Sequence, residues 1–282
     1  PPPHSGAAAL SRSCWVVAQA GSAVSRGAGR AEFVDFQSGL AQAGAGDGDR
    51  MSQPYLCSGY LLYLAPIGNG VQMDVGRVAT PLGAEVEQTN QNFFVTQGNV
   101  FGLQPVTHTG IQFSTPITDE VTGTFGIVNE VYSDTFTSTS TDKAYYGQVA
   151  YAGDMFGVNL GFITGDDSAG GFGGCLGTGG GADCAVTIVD VVLTADPSDK
   201  LSLWLNYDYV NNSGSDQASG MNGDAHGIAG AGRFAVSDKT GIASRIEYVT
   251  INEDVIGATD DVEILSLTGT VDHSLTDNLV VR

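Results

Sequence analysis

The sequence predicts a transmembrane up-and-down antiparallel β-barrel of about 12–16 strands, with short periplasmic turns and long extracellular loops. Three observations predict it. Strand-like runs of about ten residues alternate apolar and polar side chains. The connections between them alternate between short and long. No run approaches the roughly 20 consecutive apolar residues of a membrane helix, although only 15% of the chain is charged and its mean hydropathy is +0.03.

The alternation is clearest in four runs. Phe156, Val158, Leu160 and Phe162 share one face, opposite Gly157, Asn159 and Gly161. Leu201, Leu203, Leu205, Tyr207 and Tyr209 oppose Ser202, Trp204, Asn206 and Asp208. Ile242, Ile246 and Tyr248 oppose Arg245 and Glu247, and Ile111, Phe113 and Thr115 oppose Gln112 and Ser114. A period of two places each set on one side of a sheet. A soluble antiparallel sheet alternates too. What favours a barrel in lipid is the polar face of Asn, Gln, Asp, Arg and Gly, suited to a wet lumen. Tyr151, Phe162, Tyr209 and Tyr248 add to this, falling near strand ends where headgroups would lie.

The short connections are 118–120, 152–154, 196–199, 237–239 and 276–278, clusters of Asp, Gly, Asn and Ser that favour tight turns. The long ones are 133–142, 164–183, 211–224 and 252–261. Successive short turns lie about 40 residues apart, the length of one hairpin plus one long loop. About thirteen runs fit between residues 31 and 282. The last of them, 278–282, stops partway, and the odd count with no terminal aromatic leads to the expectation of a longer barrel or of one whose last strand lies beyond residue 282. Residues 1–50 read as an Ala/Gly-rich arm with the first strand or strands, 31–40 being the best candidate, and 51–282 as the barrel. No leader peptide is recognisable in 1–50, so an exported chain would have lost its signal already.

The net charge of −20 argues against nucleic acid as a partner, since phosphate binding needs a basic stripe. Much of the acid lies in the long loops: Asp166, Asp167, Asp183, Asp216, Asp224, Glu253, Asp254, Asp260 and Asp261. These acids are solvated or, as the alternative, hold Ca²⁺ at the surface; no calcium-loop repeat accompanies them. Cys175 and Cys184 bracket a Gly-rich loop, a spacing that suits a local disulfide in an oxidising compartment.

One stretch carries a family resemblance. Its pieces are Tyr63-Leu64-Ala65-Pro66-Ile67-Gly68-Asn69-Gly70, Gly76-Arg77, Thr80-Pro81-Leu82-Gly83-Ala84-Glu85 and Pro105-Val106-Thr107-His108-Thr109-Gly110. In order and spacing these resemble the bacterial outer-membrane porin family known as beta-barrel porin 2, or OmpL-like. The resemblance covers roughly 55–165 well and the remainder as barrel rhythm. It implies a porin in the bacterial outer membrane of a Gram-negative cell more firmly than it implies any solute.

Residues 81–106 are too many for a turn and are expected to cross the mouth or fold into the lumen and constrict it. Arg77 in strict register would face lipid, so either Gly76 marks a bulge that turns it inward, the preferred expectation, or Arg77 lies at the rim. The pore-lining candidates are Gln148, Asn206, Asp208, Arg233, Arg245 and Glu247 on strands, with Arg77, Glu85 and Glu87 near the constriction. Mixed charge across a pore screens solutes by polarity, and the overall acid excess favours cations.

No enzyme is expected. None of His4, His108, His226 and His273 sits in a nucleophile or zinc pattern, and His108 reads as structural. No cofactor or metal is expected. The expected partners are outer-membrane lipid, small polar solutes and either further copies of the chain, as in a trimer, or other surface proteins. Two functions fit: passive diffusion of small polar solutes with a mild cation preference, or a structural, adhesive barrel whose acidic loops contact neighbours. An open path past residues 81–106 separates the first from the second.

Overall fold

A computed structural model describes residues 14–19, 30–38, 54–132, 143–167, 184–214, 223–252, 260–276 and 279–282. They form fourteen strands in one sheet, ordered as in the sequence. The strands are β1 (Cys14–Gln19), β2 (Arg30–Ser38), β3 (Pro54–Ala65), β4 (Val71–Ala79), β5 (Thr107–Pro116), β6 (Val121–Val128) and β7 (Ala144–Ala152), then β8 (Phe156–Asp166), β9 (Cys184–Ser198), β10 (Leu201–Gly214), β11 (Gly223–Ser237), β12 (Thr240–Ile251), β13 (Val262–Thr276) and β14 (Leu279–Val281). Each is antiparallel to the next, the up-and-down barrel order. The expected short turns fall at one end of the sheet, joined there by Pro66–Gly70, where Gly68 and Gly70 take φ of 58° and 98° that favour glycine. Cys175, and with it the expected bond to Cys184, lies outside the described residues, as do residues 133–142 and most of the other long loops.

Outward faces are apolar. Ile111, Phe156, Leu160, Phe162, Leu203 and Leu205 are exposed, as are Ile242, Ile246 and Tyr248. Leu267 on β13 is 77% exposed. In water such a belt would be a large cost; against lipid it is the ordinary outer surface of a barrel.

The inward face differs from the uniformly polar one the alternation suggested. Register pairs lay it out as rows across the strands. At the loop end Tyr146, Ile163, Ile188, Val210, Ala225 and Ile251 stand side by side, all buried and apolar. The next row is Gln148, Gly161, Asp190, Asp208, Gly227 and Val249. The third is Ala150, Asn159, Val192, Asn206, Ala229 and Glu247. The fourth, toward the turns, is Ala152, Gly157, Thr194, Trp204, Ala231 and Arg245. The loop-end row is apolar because a loop, not water, covers it.

Gly76 forms no bulge. The ladders from β3 to β4 and from β4 to β5 run through it without a shift, which corrects the sequence expectation. Gly76 instead takes φ of 140° opposite Gly110. A Cβ on Gly76 would lie 2.3 Å from the Gly59 carbonyl oxygen, and one on Gly110 2.2 Å from that of Ile127. The missing side chains let the strands approach where no other residue would fit. Beyond this point alternation gives way: Arg77 and Val78 are both buried, as are Thr107, His108 and Thr109, so both faces are covered here.

Candidate functional site: a loop docked on the inner wall

Residues 80–106 leave β4 at the loop end and return to β5, closed at the neck by the Thr80 amide donating to the Val106 carbonyl at 3.0 Å. Gly83, at φ of 91°, makes room there for Gln104; a Cβ on it would sit 2.0 Å from Gln104 Oε1. Asn92 ties the loop to itself, accepting from the Val86 amide at 2.9 Å and donating to the Val86 carbonyl at 2.7 Å. Val100–Leu103 make one 3-10 turn. The loop touches the inner faces of β7 through β13, so the sheet curves around it. Arg282, after β14, also holds the loop, donating to the Thr89 and Asn92 carbonyls at 2.9 Å each.

Three kinds of contact hold the loop. The first is amide and acid. Asp190 and Asp208 are cross-strand partners, both fully buried. Asn206 Nδ2 donates to Asp190 Oδ2 at 2.8 Å, while its Oδ1 accepts from the Ala84 amide and from Gln104 Nε2, each at 3.0 Å. Gln104 Nε2 also reaches Asp208 Oδ2 at 2.5 Å, and Gln148 donates to the Pro81 carbonyl.

The second is ionic. Arg245 Nη1 lies 2.5 Å from Glu85 Oε1 and donates to the Thr96 carbonyl at 3.1 Å, and its Nε pairs with Glu247 Oε2 at 3.2 Å. Glu85 also accepts from the Gly98 amide, and Glu247 from Val100 N, Asn99 and Ser266. Burial raises the Glu85 carboxyl above the usual glutamate range, while the Arg245 charge and the Gly98 amide pull it down. Phe94 lies under Arg245, 4.8 Å from guanidinium carbon to ring centre.

The third is apolar. Leu82, Val100 and Leu103 pack on the loop-end row, and Phe94 packs on Ala231 and Ala243. Small wall residues receive them. A Cβ on Gly161 would meet Leu82 Cδ2 at 2.3 Å, and one on Gly227 would meet Leu103 Cδ1 at 2.7 Å.

The sequence candidates are thus placed as follows. Glu85, Asn206, Asp208, Arg245 and Glu247 converge, buried, between loop and wall. Gln148 is half-buried beside the neck, and Glu87 lies half-buried on the loop, where its carbonyl accepts from Gln97. Arg233 pairs with Asp272 through two hydrogen bonds of 2.9 and 2.6 Å and keeps its side chain 34% exposed. Arg77 is apart from this group, donating to Thr107 Oγ1 at 3.2 Å. Sequence reasoning missed Gln104, Asp190, Asp272 and Phe94. A single carboxylate in the apolar run Val186–Val192 is the one signal that pointed to Asp190. Asp74 was missed as well; it accepts from Gln72 and Gln112, and Gln112 in turn accepts from the Tyr146 hydroxyl at 2.6 Å.

A sequence-ordered antiparallel barrel, apolar outside, with one long loop folded against its inner wall defines an outer-membrane porin. The chain matches the family described as "Putative beta-barrel porin-2, OmpL-like" over residues 23–282, and it belongs to that family. No curated protein matches it. Among solved structures it is similar to in-vitro folded OmpT of Vibrio cholerae, with a TM-score of 0.60 and 15% identity over 88% of this chain and 69% of that one. It is also similar to OmpF of Salmonella typhi in complex with daunomycin, with a TM-score of 0.59 and 12% identity over 94% and 84%. At these identities the likeness is one of fold. The chain is a bacterial outer-membrane protein.

Proposed function

We propose that this porin passes small polar solutes and ions by passive diffusion, with a mild preference for cations, along the free side of the inner loop. One observation carries the reading. The loop docks by one side only, and on its other side Val86, Asn90, Gln91, Val95 and Thr96 remain exposed. Water reaches those residues, so room remains beside the loop. Pore-lining roles follow from position. Gln148 and Arg233 border the space directly. Glu85, Glu87, Asn206, Asp208, Arg245 and Glu247 fix the loop that narrows it, and Arg77 braces β4 where the loop departs.

The cation preference rests on charge balance. Arg233 and Arg245 are matched by Asp272, Glu85 and Glu247. Asp74, Asp190 and Asp208 are held by amides, with no basic partner among the described residues. Buried charge acts at a distance through a low-dielectric wall, so its effect on ions is felt as a field rather than as contact. The reading assigns no catalytic chemistry, and a trimer in the membrane is its expected assembly.

Planar-bilayer conductance of the refolded chain, with reversal potentials in a salt gradient, tests it. Open channels with modest cation selectivity are the expected result. A barrel that folds and inserts without conducting would leave the structural, adhesive reading in its place.

A further inference from the structure

We propose that the inner wall beneath the loop, centred on Trp204, binds neutral polyhydroxylated solutes, small saccharides, as they pass. The inference rests on the diffusion reading and names the solute class for it.

Trp204 lies on the inward face, in register with Thr194 on β9 and Ala231 on β11. One edge packs on the loop's apolar clusters, on the side of Phe94. The residue is partly buried and so keeps a part of its surface accessible, and its indole N–H makes no hydrogen bond among the described residues. Its row neighbours Gly157, Thr194 and Ala231 are small, so nothing of its own size flanks it. Aqueous exposure of an indole inside a pore is a cost that a lipid-facing tryptophan would not carry.

Several accessible polar groups nearby are uncharged. Thr194 is exposed, and Ser202, Asn159 and Gln148 are partly so. Of the charges, Asp196 is exposed at the turn end and Arg233 is about a third exposed, while the loop-holding triad is put away. Arg245, Glu85 and Glu247 side chains are 3%, 6% and 2% exposed. Arg233, one diagonal step from Trp204, is neutralised by Asp272. A solute sliding along this wall meets an apolar aromatic face with an N–H at its edge, bordered by hydroxyls and amides. A small ion gains little from that combination. A sugar ring matches it, with an apolar C–H face for the indole and hydroxyls that donate and accept around the rim.

The test uses the refolded full chain in planar bilayers and in liposomes. Maltose on the turn side should reduce the ion current in a saturable way. Trp204→Ala should raise the half-blocking concentration by about tenfold, the scale of one aromatic contact, while Trp204→Phe keeps most of the block. In swelling assays glucose should enter faster than gluconate. A second readout does not need the alanine variant to fold. With Trp15→Phe, Trp204 is the sole remaining tryptophan of the two in the sequence, and its fluorescence should respond to maltose. A block untouched by Trp204→Ala, no fluorescence response, or faster entry of gluconate would overturn the proposal while leaving the porin reading intact. Absence of conductance would instead overturn the porin reading.

Discussion

Arg245 Nη1 lies 2.5 Å from Glu85 Oε1, and this buried contact joins strand β12 to a loop 160 residues earlier in the chain. Glu247 on the same strand face closes a triad with them. Removing one member of a buried group strands the others without compensation. Arg245→Ala should therefore release residues 80–106 while the barrel, whose ladders do not depend on it, still forms. Hydrogen exchange of the Gly98 and Val100 amides reads the release directly. In a double-mutant cycle with Glu85→Gln the coupling should be about 1–3 kcal/mol. Additive effects would show that the two side chains act separately.

The hold of Glu85 also has a pH dependence. Burial raises its carboxyl above the ordinary glutamate value of 4.5, so the docked state takes up a proton that the undocked state does not. Proton uptake by the docked form means that docking gains, rather than loses, stability as pH falls from neutral toward 4.5. Loop-amide exchange, corrected for its intrinsic pH dependence, should slow over that window, and Glu85→Gln should flatten the profile.

Arg233 offers the cleaner test of selectivity, because its side chain is partly exposed and it does not hold the loop. Arg233→Ala removes the hydrogen-bonded partner of the Asp272 carboxylate at the wall. The cation-to-anion permeability ratio should rise, with the barrel still folded, and the double variant with Arg245→Ala should raise it further. An unchanged reversal potential with intact conductance would place both arginines outside the field that the ions feel.

Gly76 permits the close approach of β3 and β4. Gly76→Ala puts a Cβ against the Gly59 carbonyl and forces an L side chain to a φ of 140°. The expected cost is about 1–3 kcal/mol in denaturant unfolding of the refolded protein. Gly68→Ala, in the open turn with no atom within 4 Å, should cost less.

Leu267 tests the lipid face. It is the most exposed of the outward leucines on β13, and Leu267→Arg should destabilise the barrel in liposomes by about 2–4 kcal/mol if it lies near the midplane. Asp238→Arg, in the short turn between β11 and β12, should be near neutral.

Much of this was legible in the sequence because it is local. Alternation from Phe156 to Phe162 and from Leu201 to Tyr209 sets which side chains meet lipid, and turn residues such as 118–120 and 237–239 set where strands reverse. Strand rhythm, the outward apolar belt and the presence of a long segment at 81–106 follow from spacings of a few residues. What lies between loop and wall does not. That Asp190 stands opposite Asp208, that Gly161 and Gly227 are sockets for Leu82 and Leu103, and that Glu85 finds Arg245 depend on how the sheet curves and which rows the loop reaches. The inward apolar row shows in sequence only as short runs such as Val186–Val192, where the alternation lapses, and such a run does not say what covers it. Only tertiary packing decided that, because burial is a property of what stands opposite a residue and not of the residue itself.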